Sequence, residues 1–356
     1  MRWEQFCYEA LPMRVTFGAG SSKELPAELD RLGLDRVLVL CTPEQQESAA
    51  AIADTLGDHC AGVFPGARMH VPVSTVDEAS ATALACRADG CLAVGGGSTI
   101  GLGKAIALRH GTPVVAVPTT YAGSEMTPIW GLTENGAKRT GRDRAVLPRA
   151  VIYDPDLTLS LPTPISVMSA LNAVAHAVEG LYAPDTSPIV SLMAEEGARA
   201  LLGALRPIVA DPGDRDARAT ALYGAWLCGA VLGATTMSLH HKLCHVLGGS
   251  FDLPHAQVHA IVLPYVMAYN APAAPAMASA MVRALAAPAD PAGELWRLGR
   301  DLGVPPSLAA IGMPQDGLAE AGRRVMAAPY ANPRPVTADA VEAILRAAYD
   351  GSPPTG

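Results

Sequence analysis

Between residues 12 and 155 short apolar runs alternate with stretches of helical periodicity, and past Leu161 the alternation stops. Strands separated by helix-length segments do not pair as hairpins. They run parallel in one sheet, with helices on its faces. The runs predict strands at 14–17, 37–40, 61–64, 92–94 and 114–117, and helices at 23–32, 44–56, 74–88 (Ser74 as N-cap) and 98–108. Residues 129–133 and 150–153 read as two further short strands joined by a polar, basic connection over 138–149, and Asp154-Pro155 ends the pattern. From Thr163 onward the chain reads as helices at 165–181, 188–205, 215–239, 257–270, 273–286, 292–302, 317–327 and 338–349. Thr163 is the expected N-cap and Pro164 the first helical residue. The expectation is an α/β domain over 1–155 followed by an all-α domain over 156–356.

Composition narrows the function. Half the residues are apolar, enough for a large core, and the net charge is −8 with no basic block, so nucleic acid is not an expected partner. Seven cysteines form no CxxC pair, which suits a reducing cytoplasm. The N-terminus lacks the apolar segment of a signal peptide. Residues 219–239 carry no charge and are long enough to span a membrane, but their Ala, Gly and Thr content favours a tightly packed buried helix.

Two loops at strand ends point to a ligand. Gly95-Gly96-Gly97-Ser98 follows the strand at 92–94. There the backbone can approach a pyrophosphate, and the first amides of the next helix attract anions. The turn is neither GxGxxG, since Ile100 stands at the last glycine's place, nor a P-loop. Alone it also fits a plain strand–helix turn. The strand at 114–117 ends in Pro118-Thr119-Thr120-Tyr121-Ala122-Gly123-Ser124, a hydroxyl-rich loop at the same sheet edge, where open α/β sheets bind ligands. Cys41-Thr42-Pro43 at the end of the second strand offers no acid to hold a ribose 2′-OH, which predicts use of both NADH and NADPH.

Residues 239–270 hold five of the nine histidines: His240, His241, His245, His255 and His259. His241 and His245 share a helical face. Gly248-Gly249 is expected to end that turn, and Pro254 leads His255 back toward the pair. Imidazoles in this density suit proton handling or metal binding, against the plainer reading of surface or satisfied core histidines clustered by chance. Cys244 is expected to face away as packing. Asn172 and His176 repeat the four-residue spacing on the helix at 165–181.

GGGSTIGLGKA, VPTTYAGSEMTPIW, ALNAVAHAVEGLYA and HHKLCHVLGGSFDLPHAQVHAIVLPYVMAYN resemble, in order, motifs of the iron-containing alcohol dehydrogenase superfamily. The resemblance implies the dehydroquinate synthase-like fold, with a dinucleotide-binding α/β domain, a helical catalytic domain, a homodimer and an active site in the cleft between the domains. It implies cofactor contacts at Gly96, Gly97, Ser98, Thr119, Thr120, Ser124, Lys138 and Leu159. It places the metal ligands of metal-dependent members at Asn172, His176, His241 and His255, with His245 handling protons near the substrate. Two positions depart from the pattern. Asn172 stands where relatives carry aspartate, and Gly101 where many carry aspartate. A neutral amide is a poorer ligand for a divalent ion.

FCYEALPMRVTFGAG and TGRDRAVLPRAVIYDPDLTLSLP resemble the branch that reduces maleylacetate to 3-oxoadipate in aromatic-compound degradation and is regarded as not needing the metal. The implied chemistry is hydride addition to the alkene carbon β to a ketone, giving an enolate that hydrogen-bond donors can hold. His245 is then the expected proton donor, and His176, His241 and His255 orient the ketone. Asn172, His240 and Lys242 are expected at the dicarboxylate substrate, and His259 behind them. If a metal binds, His176, His241 and His255 are the expected ligands. The competing expectation is a metal-dependent alcohol or aldehyde dehydrogenase of the same superfamily.

Overall fold

The computed structural model describes residues 6–134, 137–287 and 289–355. The chain divides into two compact units, Leu11–Leu161 and one built from Pro162–Gly356 with the first residues of the chain. The division falls after Leu161, because the turn at Pro155–Thr158 is capped by the Asp154 carboxylate and stays with the sheet.

In the first unit the elements run β1 (Arg14–Phe17), α1 (Leu25–Leu32), β2 (Val37–Leu40), α2 (Gln46–Leu56), β3 (Cys60–Phe64), α3 (Val73–Ala85), β4 (Gly90–Gly95), α4 (Gly97–His110), β5 (Val114–Pro118), β6 (Ile129–Glu134), β7 (Ala137–Arg142) and β8 (Ala150–Tyr153). Six strands form one parallel sheet in the order β1-β8-β5-β4-β2-β3. VLVL, GCLAVG and VVAVP are buried along their whole length, as a sheet covered on both faces requires. Val37, Val39, Leu92, Val94, Val115 and Ile152 pack with Leu25, Leu29, Ile52 and Leu56 of the flanking helices. The chain leaves β2 toward β3 on one side and β4 toward β5 on the other. The carboxyl ends of β2 and β4 are therefore the switch point, where such sheets bind ligands.

Two local expectations fail here. Helix α3 begins at Val73 after Pro72, so Ser74 lies inside it and caps nothing. The polar stretch over 138–149 contains a strand: β7 pairs antiparallel with β6, from Ile129↔Arg142 to Glu134↔Ala137. The strand expected at 129–133 is present as β6, and the β6–β7 ribbon is separate from the parallel sheet. AKRTGR carries no apolar alternation, which is why its pairing left no periodic signal.

The second unit is helical: α5 (Thr163–Gly180), α6 (Pro188–Ala210), α7 (Arg215–Ala234), α8 (Leu239–Phe251), α9 (His255–Asn270), α10 (Pro275–Leu285), α11 (Pro291–Asp301), α12 (Gly317–Met326) and α13 (Ala338–Asp350). Small residues let the central helices close up; a Cβ on Gly224 of α7 would lie 2.8 Å from the Gly197 carbonyl of α6. Helix α5 starts at Thr163 itself, so Pro162 occupies the N-cap expected of Thr163. The single helix expected over 215–239 breaks at Thr235, which is extended, and α7 and α8 diverge by 97°. Asp185 accepts from the Thr236 amide and hydroxyl at 2.9 and 2.8 Å, holding the break. Among the described residues no single helix is long and apolar enough to cross a membrane; the bent α7–α8 pair passes that test by length and composition alone.

Candidate active site

The glycine turn closes the end of β4. Gly95 has φ +154°, and a Cβ there would lie 2.5 Å from Thr99 Oγ1 and 2.7 Å from Gln45 Oε1, so the turn admits no side chain. Gly96 is the N-cap of α4, and no side chain caps that helix. Its first amides are therefore left for an anion, the chemistry of a pyrophosphate cradle. Thr119 donates its amide to the Gly95 carbonyl (3.1 Å), and Gln45 Nε2 donates to Thr119 Oγ1 (2.6 Å). Gln45, on the loop after β2, thus joins the three strand ends of the switch point. The sequence reading missed it, because an amide in a polar turn carries no periodic mark.

Gly97 is exposed, Gly96, Ser98, Thr120 and Ser124 are half-buried, and Thr119 is buried. Leu159 is half-buried at the end of the turn after β8. Lys138 lies on β7, and its side chain falls outside the described residues. At Gly101 a Cβ would sit 2.9 Å from Val71 Cγ2. Val71 occupies the space beside this departure from the family pattern, in a left-handed conformation (φ 46°) unusual for a β-branched residue.

The imidazoles come from three helices of the second unit. Asn172, His176 and Glu179 fall on one face of α5, His240, His241 and His245 on α8, and His255 and His259 four apart on α9. Ring centroids lie 5.2 Å apart for His176–His241, 6.1 Å for His241–His245, 6.3 Å for His245–His255 and 4.3 Å for His255–His259. The cluster grades outward: His240 and His259 are fully buried, His176 and His241 nearly so, His255 is half-buried and His245 exposed. Burial, reinforced by neighbouring imidazoles, holds His176, His240 and His259 well below the usual imidazole range, so these rings are neutral.

Glu179 organises the cluster, and the sequence reading passed over it. It is fully buried and accepts from the Ser238 amide (2.9 Å), the His240 amide (2.7 Å) and His241 Nδ1 (2.6 Å). One carboxylate from α5 therefore caps the start of α8, whose N-cap Ser238 makes no side-chain cap bond, and fixes one imidazole of that helix. The bond fixes His241 Nδ1 toward the carboxylate and leaves Nε2, a buried atom without a partner, facing the cluster. The signal was present as Asn172, His176 and Glu179 at i, i+4 and i+7. Tyr330 was also missed. Its Oη is buried without a partner, and burial, Tyr269 and Glu179 raise it to about 12.

Two expectations at the cluster need correction. His240 cannot be a cation facing a dicarboxylate: it is neutral and fully buried, and its Nε2 meets His259 Nδ1 at 3.1 Å. Gly248 and Gly249 do not end α8, which runs to Phe251 and stops at Asp252 in a left-handed conformation (φ 52°). Cys244 is buried, and its Sγ lies 3.6 Å from His240 Nε2. His240, Cys244 and His259 place their ligand atoms within 4.8 Å of one another. The second nitrogens, His240 Nδ1 and His259 Nε2, are buried without acceptors, whereas metal-bound imidazoles nearly always donate that second proton. A hydrogen-bonded core chain fits these three better than a metal centre. Lys242 is half-buried on α8 beside the cluster.

Comparison with known proteins finds similarity over nearly the whole chain. Residues 12–155 match the family described as iron-containing alcohol dehydrogenase, and residues 166–349 match the Fe-containing alcohol dehydrogenase family, C-terminal. The chain is 57% identical to a maleylacetate reductase of Sphingobium indicum over 350 residues, 98% of this chain and 99% of that one. It is similar in structure to maleylacetate reductase from Agrobacterium tumefaciens, with TM-score 0.94, 50% identity and coverage of 99% and 100% of the two chains. Maleylacetate reductase from Rhizobium sp. strain MTP-10005 gives the same score, identity and coverage.

Proposed function

This chain belongs to the iron-containing alcohol dehydrogenase family, and on that premise we propose that it reduces the conjugated carbon–carbon double bond of maleylacetate to 3-oxoadipate with NADH or NADPH. The observation that carries the reading is the donor set at the imidazole cluster. Asn172 is an amide, and both oxygens of Glu179 are already engaged by the start of α8 and by His241. The cluster is rich in neutral donors and poor in charge.

When bound, the reduced nicotinamide would supply hydride to the alkene carbon β to the ketone. Charge then spreads over an enolate rather than resting on one alkoxide oxygen, and fixed hydrogen-bond donors can hold it. On this reading His176 and His255 orient the ketone, and the Tyr330 hydroxyl, buried without a partner, is a further donor. The proton for the α carbon comes from His245, the exposed member of the cluster, which can be resupplied by solvent. Lys242 on the same helix offers a cation for a substrate carboxylate.

The residues also fit a divalent ion. His241 Nε2 and Asn172 Oδ1 are buried without partners, and Glu179 behind His241 is the outer carboxylate that metal-bound imidazoles favour. His176, His241, His255 and the Asn172 amide oxygen would hold it, and it would polarise the ketone as a Lewis acid. We propose that turnover does not depend on it, because the enolate needs donors rather than a single strong acid. The test follows NADH consumption with maleylacetate before and after chelation. Undiminished turnover is expected. Loss on chelation, with recovery on adding zinc or iron, overturns the metal-independent part, and activity on simple aldehydes alone overturns the whole reading.

A further inference from the structure

Lys104 lies on α4, two turns beyond the glycine turn, and is fully buried. Its Nζ donates to the Ser124 carbonyl (2.6 Å), Thr127 Oγ1 (2.9 Å) and the Ile129 carbonyl (2.9 Å), with Ser124 Oγ at 3.5 Å. An ammonium has three donors, and all three go to the segment 124–129 that follows the hydroxyl loop. Glu125 is buried beside it and accepts from Tyr153 Oη at 2.8 Å. Burial pushes the Lys104 amine down to about 7, against the opposing pull of Glu125. Packing alone would favour an aliphatic side chain here, since a buried ammonium is costly unless fully paired. The pairing is complete, and it spans two elements of the switch point: the helix that begins at the glycine turn and the segment that continues the loop carrying Thr119, Thr120 and Ser124.

We propose that Lys104 is a positioning residue for the dinucleotide, tying the body of α4 to the end of the hydroxyl loop so that the helix start and the loop both bear on one bound cofactor. The proposal rests on reading those two loops as the cofactor site. Small displacements of positioning groups weaken binding and catalysis out of proportion to their size.

The experiment compares full-length Lys104→Met with Thr127→Val, which removes one acceptor and keeps the ammonium, and with Thr120→Val, which alters the loop directly. NADH affinity is read by fluorescence titration, alongside KM for each substrate and the thermal midpoint. Lys104→Met is expected to weaken NADH binding about tenfold while KM for maleylacetate at saturating NADH stays within about twofold. Thr127→Val shifts NADH affinity the same way by less, and carries the test if Lys104→Met does not fold. A folded variant with a lowered midpoint but unchanged NADH affinity overturns the proposal and leaves Lys104 a core brace. If Thr120→Val alone weakens NADH binding, the tie fails; if all three leave it unchanged, the cofactor reading of the loop fails with it.

Discussion

The glycine turn of the first unit and the imidazole cluster of the second are built by opposite means. The turn is a backbone device: Gly95 at φ +154°, Gly96 at an uncapped helix start, and Thr119 bonded to the Gly95 carbonyl. The cluster is a side-chain device, in which one buried carboxylate sets a helix start and a ring orientation together. A backbone device tolerates many neighbours but no added Cβ. A side-chain device depends on single partners, and removing one leaves several buried groups unsatisfied.

That contrast orders the predictions. Glu179→Ala strips four donors, the Ser238 and His240 amides, His241 Nδ1 and Tyr182 Oη, of their acceptor and is expected to cost about 3–5 kcal/mol of stability, read by urea denaturation. A loss under about 1 kcal/mol would mean that water replaces the carboxylate and that the cluster is less dependent on single partners than described. His245→Gln is expected to lower kcat about a hundredfold with little change in stability; unchanged turnover would move the proton donor elsewhere, Tyr330 first. Gly95→Ala is expected to raise KM for NADH about tenfold while KM for maleylacetate holds. An equal rise in both would break the separation of roles.

The smallest expected effect is on pH dependence. His176, His240 and His259 are held below the ordinary value of 6.5, so the unfolded chain binds more protons below that pH. Stability is then full above about pH 6.5 and falls as pH drops below it toward the folded values. His259→Gln removes one such proton and should make the decline shallower by about 1.4 kcal/mol per pH unit. Thermal midpoints between pH 8 and 5 check both the sign and the difference; a midpoint that rises on acidification contradicts them.

The two regions were also unequally legible in the sequence. The parallel strands could be read because burial on both faces leaves continuous apolar runs such as VLVL and VVAVP. The β6–β7 ribbon could not, because AKRTGR pairs through its backbone and shows no apolar face. In the helical unit the histidines announced themselves by number, and their spacing placed them on common faces. Their order of burial did not follow from spacing. His240 and His241 are adjacent in sequence, yet one bonds His259 in the core and the other bonds Glu179. The break between α7 and α8 was hidden because its support, Asp185 and Glu179, lies more than fifty residues upstream. Long-range capping has no local mark: the spacing of Asn172, His176 and Glu179 puts Glu179 on the cluster's face of α5, but nothing near it in the sequence shows that it caps α8.

Deuteride transfer tests the central claim most directly. With NADH deuterated at the transferred position and maleylacetate as acceptor, the account predicts 3-oxoadipate carrying one deuterium on the carbon β to the ketone, next to a carboxylate. A product with deuterium on a carbinol carbon and the double bond intact would contradict it, and would make this chain a carbonyl reductase.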